Sequence, residues 1–389
     1  MERLDWSGER HGFGGPGRFL LGRAEDAAER LMGEYAGRVR LIYLDPPFGT
    51  GDTFTVKARG KGKSVRVPAY EDNLGHEEYM AMMGRVLALC RELLTKDGSI
   101  YLHVDYRMAA YLKVLMDGIF GKRNFVNEII WAYKSGGRAA KHFSRKHDDI
   151  LLYRRGPGQY FNPGAVGSPR GPERRNHMKR QVDESGRVSY SIKSGGRVYT
   201  YSEDSMVYPS DVWQDIPHLH QRDPERTGYS TQKPEALLRR IIMASSQEGD
   251  IVADLFSGSG TTAAAAAGLG REWLAADASP AALMTLRTRL LSGHAVGGLT
   301  RPSQAMAIEY LAKPEEAPMP GISISRAGDR LTVIPDEGVS YLAAGRLEGG
   351  IFMPTAYRLS PIPGREVELK GAEAMHISDY YGRMTVLSC

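Results

Sequence analysis

Ile251-Val252-Ala253-Asp254-Leu255-Phe256-Ser257-Gly258-Ser259-Gly260-Thr261-Thr262 decides the architecture of this chain. The apolar run to Phe256 reads as a buried strand, the two glycines as a tight turn, and Thr261–Leu269 as an Ala-rich helix. Such a turn lets the backbone approach a ligand closely, and the helix N-terminus behind it favours an anionic group. A second strand, Trp273–Ala276, ends at Asp277, where an acidic side chain can hold ribose hydroxyls. Ser279-Pro280 then opens a helix that runs to Leu291. Strands alternating with helices predict an α/β fold, a doubly wound and mostly parallel sheet. A nicotinamide-dinucleotide fold shares this kind of turn, but here Ala263 stands at its third glycine position, and the motif falls late in the chain.

Upstream, Thr231-Gln232-Lys233-Pro234 precedes a helical stretch that ends at Ser245, with proline at the first turn. Further back, Val39–Leu44 reads as a buried strand that stops at Asp45-Pro46-Pro47-Phe48. Proline fixes φ and removes an N–H, so this turn is stiff and presents carbonyls without competing donors. Ligands of open α/β sheets bind at such carboxyl ends of strands. Helices are expected near Glu25–Tyr35, over Glu77–Leu94 and near Met108–Phe120, with strands over Ser99–Val104, near Glu128–Ala132 and near Ile150–Tyr153. Residues 49–73 are polar and rich in Gly, Lys and Arg, which predicts a mobile loop. Residues 154–230 keep no sustained period. Beyond residue 296, short β-like pieces between Pro and Gly predict a small β-rich appendage with no recognisable chemistry. The expected organisation is therefore two parts of one domain, 1–153 and 231–295, an insertion at 154–230 and the appendage at 296–389.

Composition narrows the class. At 42% hydrophobic and 25% charged, the 389 residues suit a globular protein. No apolar run approaches the ~18 residues of a membrane span, and Met1-Glu2-Arg3-Leu4-Asp5 lacks a signal-peptide core, so a cytoplasmic protein is expected. Cys90 and Cys389 suggest neither a disulfide framework nor a zinc site, and no metal is expected. The net charge is only +5, but residues 134–200 hold fifteen basic and five acidic side chains, a local +10. Arg174, Arg175, Lys179 and Arg180 are its densest cluster. Lys57, Arg59, Lys61, Lys63 and Arg66 form a second basic stretch just after Phe48. Such concentration predicts contact with nucleic-acid phosphates.

Together these motifs resemble the amino-methyltransferases of DNA, the N6-adenine and N4-cytosine family. Their order is similar to that family's beta arrangement, with the Asp-Pro-Pro-aromatic motif first, target recognition next and the cofactor motif last. The resemblance covers about residues 18–292 and includes Asp97–His103, Glu128–Trp131 and His147–Tyr153. It implies an S-adenosylmethionine-dependent, site-specific DNA methyltransferase acting on a base flipped from double-stranded DNA. It also implies that Asp254, Phe256, Gly258, Gly260, Thr261, Thr262 and Asp277, with Thr231, Gln232 and Lys233, line the cofactor site.

The residues suit the chemistry. An exocyclic amino nitrogen is a poor nucleophile because its lone pair is delocalised into the ring. Asp45 and the Pro46 carbonyl can accept its two N–H groups and stabilise the positive charge that develops, beside the stiff Pro47, while Phe48 offers a stacking face. Lys233 can neutralise a cofactor carboxylate. Methylating carbon 5 of cytosine needs a thiolate that attacks the ring, and neither cysteine stands in a suitable place. Adenine N6 is favoured over cytosine N4. Alternatives are a methyltransferase acting on RNA or a protein amide, and a non-catalytic DNA-binding protein. A homodimer and a cognate restriction endonuclease on a separate chain are both compatible with the family. Two departures stand out: Gly49 follows the aromatic where relatives often carry Asn, and Gly22-Arg23-Ala24-Glu25 replaces the frequent Gly-Asp-Asn. Glu25 or Asp26 can supply the missing carboxylate.

Overall fold

The structure is a computed structural model that describes residues 3–11, 17–48, 53–59, 64–71, 74–134, 139–170, 177–291, 305–312, 322–328, 330–359, 361, 363–370, 372–381 and 383–389. Its centre is a parallel sheet in the spatial order Leu94–Val104, Val39–Leu44, Ile251–Asp254, Glu272–Asp277, Gly17–Leu21 and Met306–Tyr310. Both faces are buried, as parallel sheets require. Within Val39–Leu44, Ile42 and Leu44 pack toward the helices Ala24–Tyr35 and His76–Leu93, while Leu41 and Tyr43 pack toward Glu235–Ser245 and Thr261–Gly268. The period-2 alternation of a strand thus feeds two separate apolar cores.

Beyond Leu94–Val104 the sheet turns antiparallel, through His147–Arg154 to Phe125–Ala132, and closes on the short strand Val212–Trp213. At the other side, Gly8–His11 pairs antiparallel with Met306–Tyr310. Then come Ile351–Leu359, Val339–Glu348, Ala374–Asp379 and Met384–Ser388. The region beyond 296 is β-rich as its sequence suggests, but among the described residues five of its strands continue the main sheet, while Ile322–Ala327, Arg330–Pro335 and Val367–Lys370 form a sheet of their own. A buried network fastens this continuation. Glu9 accepts from Arg287 and from the Tyr341 hydroxyl (2.7 Å), and His376 Nδ1 lies 3.2 Å away. Arg287, on the helix Pro280–Leu291, holds the Glu9 carboxyl well below the usual carboxylate range despite complete burial.

The expectation of a loop at 49–73 is overturned. Thr53–Arg59 and Ser64–Glu71 pair as an antiparallel hairpin. Val56 and Val67 give it a buried seam against Tyr229, Ala281 and Ala282, so local polarity misled the reading. The insertion also has structure. Lys179–Val182, Val188–Ser194 and Arg197–Ser202 form a three-stranded meander, and Ser168–Pro169 pairs with Met206–Val207.

Candidate active site

After Val39–Leu44 the chain winds to one side of the sheet, and after Ile251–Asp254 to the other, yet these two strands are neighbours. The crevice at their carboxyl ends is therefore the switch point where α/β sheets bind ligands. One cavity opens there. Asp45, Pro46, Pro47 and Phe48 line it from one strand, and Asp254, Phe256, Gly258, Thr261 and Thr262 from the other, with Asp277, Thr231 and Lys233. Residues read as two motifs far apart in sequence thus share one wall.

The turn after Asp254 is held by that side chain. The Thr262 hydroxyl donates to Asp254 Oδ2 (2.5 Å) and the Phe256 N–H to Oδ1 (3.0 Å). Burial pushes the Asp254 carboxyl up to about 7; the charges of Asp45 and Asp277 add to this, and the two donors oppose it. Asp277 accepts from Gly258 N–H (2.7 Å) and Ser279 N–H (2.8 Å), and burial raises it to about 6. Glu25 also lines the cavity with Arg23, whereas Asp26 is exposed and does not. Of the two carboxylates offered by the sequence, Glu25 is the one at the cavity.

Two sequence-assigned residues lie elsewhere. Gln232 is 2% exposed and does not line the cavity. Its side chain accepts from Thr227 N–H and hydroxyl (both 2.8 Å) and donates to the Glu225 carbonyl (2.9 Å), which pins the loop before the helix. Gly260 is also absent from the lining. Its φ is +73°, and a Cβ there would meet Leu286 Cδ1 at 2.4 Å. Glycine is required by the left-handed turn and by helix packing.

At the other end of the cavity, Lys233 Nζ lies 2.5 Å from Asp45 Oδ2 and 5.4 Å from the centre of the Phe48 ring. Behind Phe48 sits a group that the sequence reading passed over. His103, fully buried, stacks on Phe48 with centroids 6.4 Å apart. Its Nδ1 pairs with the Tyr43 hydroxyl (2.8 Å) and its Nε2 with Asp148 Oδ2 (3.1 Å), and the Tyr133 hydroxyl donates to Asp148 Oδ1 (3.1 Å). Burial works to raise the Asp148 carboxyl, but His103, Lys233 and Tyr133 bring it down to about 2. Asp97–His103 and His147–Tyr153 were legible as motifs, and only the pairing of their strands brings His103 to Asp148. Arg289 was missed as well: buried beneath the glycine turn, it donates to the Ser259 carbonyl (3.1 Å) and the Thr261 hydroxyl (2.9 Å).

The basic stretch divides. Lys179 and Arg180 are exposed on the first strand of the meander. Arg174, Arg175, Lys61 and Lys63 lie outside the described residues. Arg154 and Arg155 end a strand at the sheet edge opposite the cavity, where Arg155 pairs with Glu92 (3.0 Å).

Fold and cavity together define a group-transfer site at the switch point of an open α/β sheet. The family model described as DNA methylase (N6_N4_Mtase) matches residues 39–286. Type II methyltransferase M.EcaI of Enterobacter cloacae is 31% identical over 73% of this chain and 71% of its own length. DNA adenine methyltransferase YhdJ of Escherichia coli K12 is 30% identical over 64% of this chain and 75% of its own. Among solved structures, the PvuII cytosine-N4-specific DNA methyltransferase superposes with a TM-score of 0.48 at 15% identity, over 73% of this chain and 90% of that one. The chain belongs to the N6/N4 DNA methylase family. Among the described residues, no helix is long and apolar enough to cross a membrane.

Proposed function

We propose that this protein methylates the exocyclic amino group of a base in double-stranded DNA at a fixed sequence, with adenine N6 as the target and S-adenosylmethionine as the donor. The observation that carries this reading is the shared cavity between Asp45–Phe48 and Asp254–Thr262. The lining suits the donor chemically. Asp45, Asp254, Asp277 and Glu25 outnumber Lys233 and Arg23 around it, a balance that favours a sulfonium cation, and Phe54, Met82, Leu238 and Phe256 supply apolar wall. When bound, the donor supplies an electrophilic methyl group.

The chain's own residues do the rest. Asp277 and Glu25 offer acceptors to ribose hydroxyls, and Lys233 offers its ammonium to a carboxylate. Asp45 and the Pro46 carbonyl accept the two N–H groups of the target nitrogen, which turns its lone pair out of conjugation and stabilises the positive charge it gains. Phe48, backed by His103, holds the base by stacking. The base must leave the duplex for this, because its nitrogen is out of reach while stacked and paired. Positioning and electrostatics then account for the rate, without a covalent enzyme intermediate. Adenine is preferred on the family resemblance of Asp-Pro-Pro, in line with the adenine-specific name of a relative 30% identical.

The test is transfer of labelled methyl from S-adenosylmethionine to plasmid DNA, followed by nucleoside chromatography. N6-methyladenine is the expected product. N4-methylcytosine would correct the base alone, and no transfer to duplex DNA, with transfer to RNA or protein instead, would overturn the reading.

A further inference from the structure

Phe143 is 98% exposed, the most exposed large apolar side chain among the described residues. A single exposed apolar residue needs no special explanation. Its setting calls for one. Phe125–Ala132 ends, and His147–Arg154 begins, at the cavity edge of the sheet, because the latter runs antiparallel to Leu94–Val104. The described residues between them, 133, 134 and 139–146, therefore adjoin that edge. Phe143 stands five residues before Asp148, which holds His103 behind Phe48, so its backbone lies within about 18 Å of that aspartate.

The rim around it is basic. Lys134, Lys141 and Arg145 are exposed, Lys146 is half-buried, and residues 139–147 carry no carboxylate. Nearby Asp105 is neutralised by Arg107, and Asp148 by its partners behind Phe48. The segment is also braced. Tyr133 N–H donates to the Lys146 carbonyl (2.9 Å), Ala139 N–H to the Ser144 hydroxyl (3.2 Å), and the Arg145 guanidinium sits 4.4 Å from the centre of the Tyr106 ring. An exposed aromatic ring thus stands among basic side chains at the edge of the sheet that carries the cavity.

We propose that Phe143 is a wedge that enters the DNA duplex at the target position and fills the gap left when the target base swings into the cavity. It is a positioning residue and not a catalytic one, and the proposal rests on the base-flipping reading above. Apolar side chains inserted between base steps are a general means of unstacking DNA. Vacating a stacked position leaves two neighbouring base faces exposed, and a phenyl ring restores contact with both. Lys134, Lys141, Arg145 and Lys146 would hold the flanking phosphates and set the depth of entry.

The experiment uses the full chain. Plasmid DNA methylated by the parent enzyme is sequenced with modified-base detection to give the site. Short duplexes then carry a fluorescent analogue of the target base, 2-aminopurine for adenine or pyrrolocytosine for cytosine. On a fully paired duplex the parent brightens the analogue. Phe143→Ala should lose that signal, and its kcat/KM on paired DNA should fall about five- to hundredfold, the range carried by one aromatic–base stack. On a duplex whose target faces an abasic position the pair is already open, and variant and parent should match. Phe143→Trp should behave as the parent. A Phe143→Ala protein that flips and methylates paired DNA normally, or that is equally impaired on both duplexes, overturns the wedge. A parent that never brightens the analogue overturns base flipping itself, and the wedge with it.

Discussion

The Lys233 ammonium reaches two of the groups that the proposed mechanism assigns to the target base, the acceptor Asp45 and the stacking ring of Phe48: it pairs with Asp45 at 2.5 Å and lies over the Phe48 ring at 5.4 Å. In the mechanism proposed above, Lys233 leaves Asp45 for the carboxylate of the cofactor, which frees Asp45 for the target amino group. DNA and cofactor binding should be coupled. Sinefungin, a non-reactive analogue, should tighten binding of a cognate duplex about five- to 150-fold, the usual span of coupling between sites. In Lys233→Ala that ratio should drop toward one. Fluorescence anisotropy of labelled duplex with and without sinefungin measures both, and a ratio unchanged by the substitution would show that the pair plays no gating part.

Asp45→Asn keeps shape but removes charge. Methyl transfer should fall about 10²–10³-fold, as on loss of one transition-state acceptor. Cofactor affinity should change far less, because release of Lys233 offsets the loss of one of the four carboxylates at the cavity. Single-turnover kinetics and calorimetry separate the two effects. Loss of cofactor affinity in a folded variant would move Asp45 out of the base site.

Asp254 and Asp277 are raised to about 7 and about 6, Asp254 by burial and then the neighbouring charges, Asp277 by burial. Both are protonated in acid, and a cationic ligand favours their ionised forms. Cofactor affinity should accordingly weaken as pH falls through 7 and then 6. The sign for stability is opposite. A carboxyl whose folded pKa is raised contributes most stability below its unfolded value, near 4, and loses it as pH rises through the folded value. These two groups thus make the protein progressively less stable as pH rises from about 4 to about 7, and Asp254→Asn should flatten part of that fall. Calorimetric titration and thermal melts across that range test both signs, and an affinity that rises on acidification would contradict the assignment.

Gly260→Ala should act through packing before binding. A left-handed φ costs a non-glycine residue about 1–2 kcal/mol, and crowding Leu286 adds about 1–3 kcal/mol. Leu286→Ala should recover part of the second term in the double variant. Thermal unfolding of the two single variants and the pair gives the coupling. Unchanged melting with abolished cofactor binding would return Gly260 to the cavity wall.

Lys179 and Arg180 are exposed together on the meander, so Lys179→Ala/Arg180→Ala tests the proposed DNA face. Loss of two phosphate contacts should lower the log–log salt slope of duplex binding by about 1.8. A slope equal to the parent's would make the meander an ordinary solvated surface.

The sequence by itself determined the alternation of strands and helices, the turn at Gly258–Gly260 and the stiff Asp45–Phe48 corner. Each is local: apolar periodicity, glycine freedom and proline rigidity act over a few residues and need no partner. Tertiary structure alone decided which residues meet. Val39–Leu44 and Ile251–Asp254 pair across some two hundred residues, and that pairing brings Lys233 to Asp45. His103 and Asp148 stood in two separate motifs, Asp97–His103 and His147–Tyr153, until antiparallel register joined them behind Phe48. The 53–71 hairpin looked like a loop because its buried seam consists of two valines whose partners, Tyr229, Ala281 and Ala282, lie far along the chain. Hydrophobic burial is non-directional and acts between whatever surfaces the fold brings together. A sequence window records that a residue is apolar, polar or charged, and only the folded chain supplies the neighbour that turns it into a seam, an ion pair or a site.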